Sequence, residues 1–120
     1  MTTNSDSDNM SSMADTPEEL IENLNNTKCV VLKYSASWCI PCKNKVFIEK
    51  YKSIKQEYSD NSNVIFLELD VGNHENFDND FNVSVIPTIK LFKFGTLISQ
   101  HEGINELDKV HRNIKKIVGV

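Results

Sequence analysis

Apolar and polar positions are spaced differently in successive parts of the chain, and each spacing predicts an element. Residues 1–13, MTTNSDSDNMSSM, hold no sizeable apolar side chain but three Met. Such a segment cannot bury enough surface to offset the entropy of ordering. A disordered tail over 1–13 and one domain over 14–120 are therefore expected. Thr16-Pro17-Glu18-Glu19 announces a first helix, with Thr16 as cap, Pro17 at the first helical position and Glu19 able to close a capping box. Leu20, Ile21 and Leu24 give that helix its apolar face. The run Cys29-Val30-Val31-Leu32-Lys33-Tyr34 is almost unbroken in apolar and β-branched residues, the pattern of a strand buried on both faces. Residues 40–58 change to helical period through Phe47, Tyr51, Ile54 and Tyr58, and Val64 to Leu69 form a second buried strand. Strand, helix and strand in this order make a right-handed βαβ unit.

The second half is more polar. Phe77 and Phe81 lie one helical turn apart within residues 73–82 and suggest a short helix. Ile89, Leu91 and Phe94, interrupted by Lys90 and Lys93, make an imperfectly alternating strand, and Leu97 to His101 make another. Gly95-Thr96 between them suits a two-residue hairpin turn with Gly in the first central position. Ile104, Leu107, Val110, Ile114 and Ile117 then share one helical face, with Gly119 as the stop. The fold class that results is α/β, a central mixed β-sheet flanked by helices on both faces.

Length and charge narrow the function. At 120 residues the chain has room for one domain. No apolar stretch is long enough to span a membrane, and the first residues have neither a basic nor an apolar region of the secretory kind, so a cytoplasmic protein is expected. The net charge of −4 arises in the N-terminal part: residues 1–27 carry six acids and no base, leaving 11 acids and 13 bases for residues 28–120. With a single Arg and no basic stripe among aromatics, nucleic acid is not an expected partner. The odd count of three Cys argues against a disulfide-stapled scaffold.

Two of those cysteines define the candidate chemistry. In Trp38-Cys39-Ile40-Pro41-Cys42-Lys43 the pair is separated by two residues, where the first strand gives way to the helix. At a helix N-terminus the unpaired amides and the dipole favour an anion, so a thiolate on Cys39 is expected, its pKa below the ordinary value of about 8.5. Cys42, one turn on, can attack a mixed disulfide on Cys39 and leave a Cys39–Cys42 disulfide behind. Lys43 adds modestly to thiolate stability. The competing reading is a zinc half-site completed from Cys29, His74, His101 and His111, which are scattered over other elements. Cys29 reads as a buried strand residue.

The stretch VVLKYSASWCIPCK over 30–43 resembles the active-site strand and helix start of the thioredoxins, whose usual motif is WCGPCK. VIFLELD over 64–70, Ile86-Pro87-Thr88 before IKLFKFG, and Gly103 after the last strand agree with the same family in order and spacing. The resemblance implies a thioredoxin fold and a protein-disulfide reductase: Cys39 is the nucleophile and Cys42 the resolving thiol. It implies a cis peptide bond at Ile86-Pro87, facing the cysteines. An exposed apolar groove of Trp38, Ile40, Pro41, Ile86, Pro87 and Gly103 would receive extended segments of disulfide-containing proteins. No bound cofactor is expected; reducing equivalents would come from NADPH through a thioredoxin reductase, and the protein would act as a monomer.

Three positions depart from the family pattern. Lys33 stands where thioredoxins commonly bury an Asp credited with helping the resolving thiol lose its proton. Lys33 has three readings: a neutral buried base, a cation that stabilises thiolates, or one half of a bridge to Glu68. Ile40 replaces Gly between the cysteines and bears on redox potential and partner choice. Phe47 replaces a helix-kinking proline, so a straighter helix is expected. Lys33 and Ile40 keep two alternatives open: a disulfide oxidase or isomerase, and a redox-weak binding module or adaptor.

Overall fold

The computed structural model describes residues 25–72 and 76–119. The tail over 1–13, the helix announced at Thr16 and residues 73–75 of the short helix lie outside the described residues. Strand β1 (Cys29–Ser35) leads through a 3-10 turn (Pro41–Lys43) into helix α1 (Lys45–Glu57), followed by β2 (Val64–Asp70). A short helix α2 (Phe77–Asp80), strands β3 (Thr88–Lys93) and β4 (Thr96–Glu102), and helix α3 (Leu107–Val118) complete the order. The sheet runs β2-β1-β3-β4. β1 pairs parallel with β2, as the α1 crossover requires, and antiparallel with β3, which pairs antiparallel with β4. The hydrophobic run of β1 is explained by this central place: Cys29 to Leu32 and Tyr34 are buried.

Alternation along the strands sorts the core into two layers. Cys29 and Val31 of β1, Val64 of β2 and Ile89 and Leu91 of β3 pack against Phe47, Tyr51 and Ile54 of α1 and against Val110, Ile114 and Ile117 of α3. Val30, Leu32 and Tyr34 face the other way, with Leu67, Leu69, Phe92, Phe81 and Val83, and Phe77 of α2 packs against them. Cys39 belongs to this second layer, so the cysteine motif grows directly out of the packed end of β1.

Four local expectations are corrected. The helix expected over 40–58 is divided: Asn44, at ψ 125°, ends the 3-10 turn, and its side chain accepts the Phe47 N–H at 2.9 Å to begin α1 afresh. Asx side chains favour such caps over helix interiors. From Lys45 to Glu57, through Phe47, the helix is continuous. The hairpin turn lies one residue earlier than expected. Lys93 pairs with Thr96, and the central residues are Phe94 and Gly95, at φ 49° and 83°. Both are left-handed, as a turn matched to strand twist requires. Ile104, expected on the last helix, stands in the loop before α3 and packs against the same core from there. Lys90, expected as a polar interruption, is 3% exposed. Its ammonium donates to the Phe81 carbonyl at 2.8 Å and stands 5.1 Å from the centre of the Tyr34 ring, because β3 is an inner strand covered on both faces.

Candidate active site

Beyond β1, the Cys39 N–H turns back to the Ala36 carbonyl at 3.1 Å and delivers Cys39 to the start of the 3-10 turn. Cys39 and Cys42 form a disulfide, their Cα atoms 5.3 Å apart. The Cys42 N–H donates to Cys39 Sγ at 3.1 Å. An N–H aimed at sulfur favours the anion once the disulfide is opened. The α-helix itself begins five residues later than Ile40, so this single amide, more than a long helix dipole, is the local source of thiolate stabilisation.

Cys39 is 3% exposed, while Trp38 and Ile40 on either side are 56% and 80% exposed. The disulfide is thus framed by projecting apolar side chains, with Pro41 exposed beside it. The Ile86-Pro87 bond is cis, and the Ile86 carbonyl oxygen lies 3.7 Å from Cys39 Sγ. Ile86 and Pro87, expected to be part of an exposed apolar groove, are themselves buried, with their carbonyls facing Cys39 Sγ and the Gly103 N–H. Val85, half-exposed and not foreseen, adds apolar surface next to them. The Pro87 carbonyl accepts the Gly103 N–H at 2.8 Å, which ties the end of β4 to the proline segment. Gly103 adopts φ 93°, and a Cβ there would meet nothing within 4 Å.

Gly72 is a second unforeseen contributor. A Cβ built on it would approach Asp70 Oδ1 to 2.9 Å and Trp38 Nε1 to 3.3 Å, so a side chain there would displace the Asp70 carboxylate and press on the Trp38 ring. Its signal was faint: a glycine just past a strand end. On its other flank Trp38 meets Phe77, ring centres 6.5 Å apart.

Lys33 forms the bridge, the third of its readings. Its Nζ is 3.5 Å from Glu68 Oε1, while Glu68 Oε2 accepts from Ser35 Oγ at 2.6 Å. The ammonium also lies 4.5 Å from the centre of the Tyr51 ring and 5.8 Å from that of Phe47, under the first turns of α1. Burial, reinforced by the Glu68 carboxylate, raises the Tyr51 phenol above its ordinary value. The remaining candidates are dispersed. Burial pushes the Cys29 thiol up to about 11, which leaves it protonated. His101 pairs with Glu106 and His111 with Glu57, and His74 lies outside the described residues. Among the described residues no three His, Cys, Asp or Glu gather as metal ligands, and no helix is long and apolar enough to cross a membrane.

Among the described residues, a mixed sheet of four strands with a Cys-x-x-Cys disulfide at the end of its inner strand β1, facing a cis proline, defines a thioredoxin-fold dithiol protein. The Thioredoxin family model matches residues 11–116. Human thioredoxin is 37% identical over 91 residues, 76% of this chain and 81% of its own. Thioredoxin-T of Drosophila melanogaster is 33% identical over 106 residues, 88% of this chain and 63% of its own. Among solved structures, Schistosoma mansoni thioredoxin superimposes with TM-score 0.65 at 31% identity, covering 83% of this chain and 88% of that one. Spinach chloroplast thioredoxin f gives 0.67 at 29%, covering 86% and 87%. The chain belongs to the thioredoxin family, and its Cys39–Cys42 pair suits it to thiol-disulfide exchange.

Proposed function

We propose that this protein reduces disulfides in other proteins, with Cys39 as nucleophile and Cys42 as resolving thiol. The observation that carries the reading is the Cys42 N–H on Cys39 Sγ within a pair able to close as a disulfide. A Cys39 thiolate attacks one sulfur of a substrate disulfide, forming a mixed disulfide and expelling the other substrate sulfur as thiolate. Cys42, after losing its proton, attacks Cys39 Sγ; the Cys39–Cys42 disulfide forms and the second substrate thiolate leaves. The protein loses two electrons and the substrate gains them.

In this reading an extended substrate segment crosses the surface between Trp38, Ile40 and Pro41 on one side and the Ile86-Pro87 backbone and Gly103 on the other. The oxidised form returns to the dithiol through a thioredoxin reductase drawing on NADPH, in the cytoplasm. Lys33, bridged to Glu68, takes a tuning role in place of a buried acid. The test is insulin disulfide reduction with dithiothreitol, wild type against Cys39→Ser. The expected result is acceleration by the wild type and none by the variant. Equal rates would remove the catalytic reading in favour of a binding module. A redox titration in glutathione buffers then separates reductase from oxidase or isomerase, the reductase requiring the more reducing potential.

A further inference from the structure

His101 is a buried titratable side chain that the exchange chemistry does not use. It lies on β4 opposite Ile89 and is 6% exposed, yet both ring nitrogens are engaged. Nδ1 stands 3.3 Å from Glu106 Oε1, and Nε2 stands 2.9 Å from Ser99 Oγ and 3.3 Å from Asn113 Nδ2. A carboxylate only accepts, so the ring proton is assigned to Nδ1, leaving Nε2 to accept from the hydroxyl and the amide. Asn113 Nδ2 also reaches Ser99 Oγ at 3.3 Å, and Lys109 Nζ reaches Glu106 Oε2 at 3.4 Å. The last residue but one of β4, the residue preceding α3 and the middle of α3 are thus joined through one imidazole.

What this clamp encloses gives it meaning. His101 and Glu106 bracket the loop that contains Gly103, Ile104 and Asn105. Gly103 donates to the Pro87 carbonyl at 2.8 Å, and the neighbouring Ile86 carbonyl lies 3.7 Å from Cys39 Sγ. Ile104 and Asn105 line a cavity of about 350 Å³ with Asn44 and Val46, beside the cysteine turn. The Glu106 side chain, although at the helix start, makes no cap there; it is turned toward His101 and Lys109. Apart from the clamp, the loop is held by the Gly103 N–H on the Pro87 carbonyl and by Ile104 against the core, so exchange at Gly103 reports what the clamp adds.

We propose that His101 is a positioning residue: through Glu106 it fixes the β4–α3 loop, so that Gly103 and the Pro87 arm keep the spacing an extended protein substrate needs. The role rests on the reductase reading above, and the experiment separates the two. Amide exchange at Gly103 reads the clamp without turnover. In Glu106→Ala, whose side chain is 27% exposed, exchange is expected to be about tenfold faster than in wild type. Kinetics of insulin reduction then read its consequence. His101→Leu and Glu106→Ala are expected to raise KM for insulin about fivefold, the size of one hydrogen bond, with kcat unchanged. Reduction of 5,5′-dithiobis(2-nitrobenzoate), too small to need the loop, stays at the wild-type rate. His101→Asn, which keeps a donor near the Nδ1 position, restores most of the insulin KM. Unchanged exchange at Gly103 in both Glu106→Ala and His101→Leu would overturn the clamp. Faster exchange with unchanged KM, or an equal loss with the small disulfide, would overturn the positioning role. A wild type that leaves insulin intact while Gly103 exchange still responds would overturn the reductase reading and the substrate role together.

Discussion

Lys33 stands on the strand that leads to the cysteine pair, at the position where the family commonly buries an acid. Its ammonium, under the first turns of α1, is partly neutralised by Glu68, which Ser35 in turn holds in place. A positive charge that reaches the cysteines stabilises thiolates over the disulfide, so if Lys33 acts in this way its removal makes the couple more reducing. Lys33→Met is expected to shift the reduction potential downward by up to about 30 mV, one pKa unit of thiolate stabilisation. Titration against glutathione checks this, and an upward shift or none would contradict it. At this scale the cysteines were legible because chemistry is written in residue type and spacing. Gly72 and Lys90 were not. The need for a bare Cα beside Trp38, and the burial of a lysine against Tyr34 and the Phe81 carbonyl, arise only when distant segments meet.

Among the elements, the hairpin between β3 and β4 holds the clearest local strain. Phe94 adopts φ 49° with its ring half-exposed, so it bears a left-handed conformation with little burial in return. Phe94→Asn creates the Asn-Gly pair such a turn favours and is expected to stabilise the protein by about 0.5–1 kcal/mol in urea unfolding. The cysteine turn gives a prediction of opposite sign. Asn44→Ala loses the acceptor for the Phe47 N–H and is expected to cost about 1 kcal/mol. The strands, the long helix and their order could be read from hydrophobic period, since the period reports which face is buried. The break at Asn44 and the place of the turn could not. Asn44 lies inside an otherwise helical pattern, and nothing in a phenylalanine announces a positive φ.

For the molecule as a whole, two carboxylates bind its pieces in a pH-dependent way. Lys50 donates to Asp108 at 2.7 Å and joins α1 to α3, while Glu106 joins α3 to β4 through His101. The Lys50 hydrogen bond and charge hold the Asp108 carboxyl below its ordinary 3.8, and the His101 hydrogen bond, with Lys109, holds Glu106 below its ordinary 4.5. Both folded values are depressed, so the stabilisation is fully present above pH ~4.5 and is lost as pH falls through the lowered values. Urea midpoints are expected to fall between pH 7 and pH 3. The fall should be smaller in Asp108→Asn and Glu106→Gln, which have no such charge to lose. Because Asp108 is exposed and Glu106 partly so, high salt should reduce the difference, more for the Lys50–Asp108 pair.

The central claim is that Cys39 attacks and Cys42 resolves, and trapping the intermediate between those steps tests it most directly. Reduced Cys42→Ser, mixed with insulin, should accumulate a mixed disulfide that mass spectrometry of a non-reducing digest places on Cys39. Cys39→Ser under the same conditions should form none, since the amide that favours a thiolate faces Cys39 and not Cys42, and Cys29 is buried and protonated. An adduct on Cys42 or Cys29, or equal adduct in both variants, would contradict the account.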